Sequence, residues 1–73
     1  MFSYTISVIE NNNQIERLYY SNKEAADNIY KALYMIARYY VCDIEGIQLW
    51  QHRKGKTIDN DRLARIIKQY YKS

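Results

Sequence analysis

Residues 46–51 read GIQLWQ, Gly46 to Gln51, and the architecture turns on them. Ile47 and Leu49 alternate with Gln48 and Trp50, the period of a strand with one apolar face. Ile44, Ile47 and Trp50 are also three apart, so a short helix starting near Asp43 competes for residues 43–52. A strand here adds a third member to a sheet. A helix leaves only an N-terminal hairpin to build on. The alternation favours the strand.

Upstream, FSYTISVIE sets Phe2, Tyr4, Ile6 and Val8 against Ser3, Thr5 and Ser7, giving one apolar face and one hydroxyl face. Asn11–Asn13 suit a hairpin loop, because asparagine tolerates left-handed backbone angles. QIERLYY is the returning strand, with Leu18 and Tyr20 on one side and Ile15 and Tyr19 on the other. SNKE, Ser21 to Glu24, has the form of a capping box and announces a helix. Its expected buried stripe is Ala26, Ile29, Leu33, Ile36, Ala37 and Tyr40.

Downstream, RKGKTI turns at Gly55, with room for a short fourth strand at 56–58. DNDRLARIIKQYYKS then reads as a second helix, capped by Asp59 or Asn60, with Leu63, Ile66, Ile67, Tyr70 and Tyr71 as its stripe. The expected fold is therefore α+β: a small two-layer sandwich in β-β-α-β-α order, an antiparallel sheet with two helices on one face.

Seventy-three residues allow one domain, taken as 1–73. A chain of this size buries only roughly 60–65% of its unfolded surface, so its core is marginal. Cys42 is the single cysteine, which excludes an internal disulfide and leaves no Cys/His set for a metal. Nine tyrosines, with Phe2 and Trp50, supply bulk instead. A free thiol, no charged leader and no apolar run of membrane length point to a cytoplasmic setting, the host cytoplasm if the gene is phage-borne. Asn, Ile, Tyr and Lys make up 31 of the 73 residues, and their AT-rich codons suit a small phage or mobile-element gene.

Gly55-Lys56-Thr57 has the tail of a phosphate-binding loop, but the loop's first glycine would fall at position 50, where Trp50 stands. Asp59-Asn60-Asp61 lacks the glycine and closing glutamate of a calcium loop. His52, the only histidine, has no Asp or Cys at a recognisable catalytic spacing and is expected at a surface turn. No catalytic residues, metal or cofactor are expected, and the chain reads as a non-enzyme.

Two binding surfaces remain. Residues 44–73 hold seven bases against three acids, a net of +4, whereas residues 1–43 carry a net of −1. A basic hairpin at 52–57 and a basic C-terminal helix at 60–72 would give a nucleic-acid surface of Trp50, His52, Arg53, Lys54, Lys56, Arg62, Arg65 and Lys68. Solvated turn and helix cations explain the same pattern without a ligand. Tyr30 and Tyr34 fall beside the expected helix stripe and Tyr19 and Tyr20 on opposite strand faces, so these four form the candidate protein-binding surface. The leading expectation is a small intracellular inhibitor or modulator of a host protein or protein–nucleic-acid complex, working through protein–protein interaction. Direct DNA or RNA binding is the alternative, and a structural homodimer the second.

Overall fold

A computed structural model describes residues 1–72. It is a small α+β fold: a four-stranded antiparallel sheet with one helix, in the order β1 (Phe2–Glu10), β2 (Ile15–Tyr20), α1 (Lys23–Tyr39), β3 (Ile44–Arg53) and β4 (Arg65–Tyr71). Across the sheet the order is β2-β1-β3-β4. The third strand is therefore real and central, and residues 43–52 are not a helix.

The hairpin forms as its residues dictate. Asn13 takes φ 67°, the left-handed angle that asparagine accepts, and the Asn12 side chain receives the Gln14 amide at 3.1 Å. The register pairs Ile6 with Leu18 and Tyr4 with Tyr20 on one face, and Thr5 with Tyr19 on the other. Pairing of β1 with β3 sets Ile6 opposite Leu49 and Val8 opposite Ile47. Opposite residues share a face, so one apolar face runs from Leu18 through Ile6 to Leu49. The helix lies on it. Tyr4, Ile6, Val8, Ile47 and Leu49 meet Ala26 and Tyr30 there, with Tyr20, Leu33, Tyr34, Ile67 and Tyr70 at the margin.

Asn22 caps the helix, not Ser21: its Oδ1 accepts the Ala25 amide at 3.1 Å, one residue later than the capping box implies. The buried stripe is also rotated. Ala26, Tyr30 and Ala37 are buried, whereas Ile29, Ile36 and Tyr40 are exposed. The rotation sets Asp27, held by Lys23 at 2.8 Å, beside Lys68 of β4 at 3.4 Å. The polar flank lies towards β4, and Tyr30 packs down onto the sheet.

The expected second helix is a strand. Residues 65–71 pair with β3, Tyr70 opposite Ile47 and Lys68 opposite Leu49. A register shift between Leu49 and Trp50 leaves Ile67 as an extra residue, so Ile67 and Lys68 both turn to the helix side. The bulge breaks the strand alternation and leaves apolar residues at helix-like intervals. Asp59 and Asn60 cap no helix. Thr57 Oγ1 accepts the Asp59 and Asn60 amides, and Asn60 Oδ1 accepts that of Thr57 at 2.7 Å, so 54–64 is a wound loop. Residues 56–58 form no strand. Gly55, at φ 81°, makes the turn closed by the Lys56 amide on Arg53 O at 3.0 Å.

Candidate functional site

The 54–64 loop is pinned at two points. Asp61 is fully buried and accepts the Arg53 amide at 2.7 Å, Arg53 Nε at 3.0 Å and the Leu63 amide at 3.0 Å. These hydrogen bonds, the Arg53 guanidinium first, hold its carboxyl far below the usual carboxylate range. Asp59 binds Arg17 of β2 at 2.6 Å, which lowers the Asp59 pKa. Arg17 stands on the face away from the helix, so this contact brings the loop across one end of that face.

The hydroxyl face is buried in part, with Tyr19 and Trp50 flanking Thr5 across the strands. Thr5 is 0% exposed and His52 4%, although neither faces the helix. They bond to each other, Thr5 Oγ1 to His52 Nε2, at 2.8 Å. The histidine expected at a surface turn is thus a satisfied interior group. Farther along the face, Trp50 Nε1 donates to Gln48 Oε1 at 2.9 Å, and Gln48 Nε2 donates to the Tyr71 hydroxyl. Trp50 is half-buried in this chain.

The candidate nucleic-acid residues are therefore divided. His52 is interior. Arg53 is paired with Asp61 at 2.9 Å and Lys68 with Asp27 at 3.4 Å, close to the Tyr30 ring. Lys54, Lys56, Arg62 and Arg65 remain exposed, and none of them makes an ion pair among the described residues. They lie on the loop and at the first residue of β4, not on a helix face.

The tyrosine set is divided too. Tyr19 is exposed, Tyr20 half-buried against the core, and Tyr30 only 9% exposed. Tyr34 packs edge-on against Tyr70, ring centroids 5.0 Å apart. Burial also raises the Tyr30 hydroxyl pKa. The expected exposed ridge of Tyr30 and Tyr34 thus faces inward, for the rotation given above.

A different apolar surface takes its place at the end of α1. Tyr39 and Tyr40 are 66% and 68% exposed, Val41 is fully exposed and Met35 nearly half so. Arg38 lies 5.6 Å from the Tyr39 ring centroid. Next to these residues an open depression of about 340 Å³ is walled by Arg38, Tyr40, Val41, Cys42, Tyr70 and Lys72. The Cys42 thiol is half-buried there, 3.8 Å from Ile36 O and 3.9 Å from Lys72 Nζ. The signal for this patch was the YYV run, Tyr39 to Val41, beyond the last helical turn. Reading Tyr40 into the buried stripe concealed it.

Among the described residues no group of three or more His, Cys, Asp or Glu is placed to hold a metal, and no helix is long and apolar enough to cross a membrane. Comparison with protein-family models, curated proteins and solved structures gives no match.

Proposed function

We propose that the chain is a non-catalytic binding protein that grips a partner protein through the end of α1, acting as an inhibitor or modulator of a host complex of the kind that phage and mobile-element genes encode. One observation carries this reading: Tyr40 and Val41, both exposed, line a depression with a cationic rim, and Met35 and Tyr39 are exposed on the same end of α1. Clustered apolar and aromatic side chains rimmed by charge are the anatomy of an interface core. Arg38 and Lys72 suit an acidic, aromatic-bearing surface on the partner. Asp27, Asp59 and Asp61 are each held in an ion pair.

The test is affinity capture with crosslinking from host cytoplasm, comparing the native chain with a Tyr40→Ala/Val41→Asp variant of unchanged circular dichroism. The native chain retains one partner in fixed stoichiometry and the variant loses it. Retention by the variant would refute this surface.

A second reading rests on Lys54, Lys56, Arg62 and Arg65, four exposed cations on one loop and the strand after it. It makes the chain a direct DNA or RNA binder, and its mark is affinity that falls steeply with salt.

A further inference from the structure

The two edges of the sheet are treated differently. β4 carries a bulge together with Arg65 and Lys68, the usual devices that blunt an edge, and Lys72 follows it. β2 is less guarded. Its charges, Glu16 and Arg17, are of opposite sign, its six residues pair with β1 in unbroken register without Lys, Pro or bulge, and Ile15, Leu18 and Tyr19 are exposed along it. Above β2, on the helix side, Ile29 and Ile36 are exposed on the flank of α1 opposite Asp27.

The ladder shows which backbone groups are free. Glu10 donates to Gln14 O at 2.8 Å, so the even-numbered residues of β2 bond inward to β1. Ile15, Arg17 and Tyr19 then point their amides and carbonyls outward. A second β2, added antiparallel about a two-fold axis, has two registers that use most of the strand. With the axis at Arg17, two Arg17 side chains, each already held by its own Asp59, crowd into one cross-strand position. With the axis at Leu18, Leu18 meets Leu18, Arg17 meets Tyr19, and Glu16 meets Tyr20. Every pair in this register is compatible, and the outward groups of Arg17 and Tyr19 satisfy one another.

We propose that β2 is a self-association edge: two copies of this chain join through it into a continuous eight-stranded sheet, with Leu18 on the two-fold axis and the Ile29/Ile36 flanks facing each other across it. The end of α1 stays free in this dimer, so the proposal stands apart from the partner-binding surface above. An edge of six residues gives a modest interface.

Leu18 pairs with its own copy at a non-hydrogen-bonded position, where Cα atoms lie about 4.5 Å apart, close enough for a disulfide. In a Cys42→Ser background, Leu18→Cys should cross-link to itself under mild oxidation. Glu16→Cys and Tyr20→Cys should each stay uncross-linked alone and cross-link when mixed. Self-linking by Glu16→Cys as efficient as that by Leu18→Cys would overturn the register. Light scattering across a concentration series should show the native mass rising from 8.8 kDa towards twice that value. Leu18→Lys, with unchanged circular dichroism, should remain monomeric throughout. A native chain monomeric at millimolar concentration would overturn the proposal, as would loss of the α1-end partner in Leu18→Lys.

Discussion

Thr5 and His52 sit on a sheet face with no helix over it, and their burial makes the Thr5 hydroxyl necessary. Thr5→Val keeps the shape but leaves His52 Nε2 without its 2.8 Å partner. The expected cost is about 1–3 kcal/mol, read as a lower urea midpoint with unchanged m. Gly46 answers a different constraint. A Cβ there would lie 2.8 Å from Tyr71 Cε1, closer still to Cδ1, and 3.2 Å from the Tyr70 carbonyl oxygen. Gly46→Ala should cost about 1–3 kcal/mol, and much less in a Tyr71→Ala background, where only the carbonyl contact persists. Asp61 contributes through pH. Its folded pKa is depressed, so its stabilisation is complete above the ordinary aspartate value of about 3.9 and is lost as pH falls through the folded value. Asp27 and Asp59 are shifted in the same direction. Urea midpoints should therefore be level from neutral pH to about 5 and fall below it. Asp61→Asn should flatten most of that decline while lowering stability at neutral pH.

At the level of elements, β1 and β3 were legible because their alternation is regular and each has one face against the core, and β2, whose alternation is poorer, followed from the asparagine loop that turns the chain back. The C-terminal strand was not. Ile66, Ile67, Tyr70 and Tyr71 recur at helical intervals only because a bulge at Ile67 adds a residue to an alternating pattern. What decides between strand and helix is the outer edge of β3, whose free amides and carbonyls need a ladder partner, a long-range demand that a local window does not register. The helix was legible in extent but not in rotation. Its apolar residues span a wide sector, and the choice within it rests on long-range packing: Ala26 and Tyr30 join the sheet's core cluster, and Asp27 falls beside Lys68, forty-one positions away. Two substitutions measure this rotation. Tyr30→Ala, in the core, should cost about 3–5 kcal/mol. Ile36→Ala, on the exposed flank, should cost under about 1 kcal/mol. Equal losses in chemical denaturation would contradict the packing. The site followed the same rule: the rings that sequence spacing placed outside are those this rotation turned inward.

For the molecule as a whole, the two candidate binding surfaces are set apart by β3. That strand runs ten residues from Ile44, beside the end of α1, to Arg53, at the root of the 54–64 loop, a span of roughly 30 Å. This is most of the 36 Å long dimension of the fold. The apolar patch and the exposed cations therefore occupy opposite ends, and each can be removed without touching the other. The set of unpaired cations is also smaller in the fold than in the sequence, because Arg53 and Lys68 are paired with Asp61 and Asp27. Four exposed cations can release counterions from at most about four phosphates, so log K for duplex DNA should fall against log salt with a slope no steeper than about −3.6. If the protein-binding reading holds, fluorescence anisotropy with a 30-mer should show weak, salt-labile binding that Lys54→Ala/Lys56→Ala/Arg62→Ala/Arg65→Ala abolishes. The same variant should keep its protein partner, and Tyr40→Ala/Val41→Asp should keep whatever DNA affinity exists. Tight binding that persists at physiological salt would reverse the ranking and make the loop end the principal site.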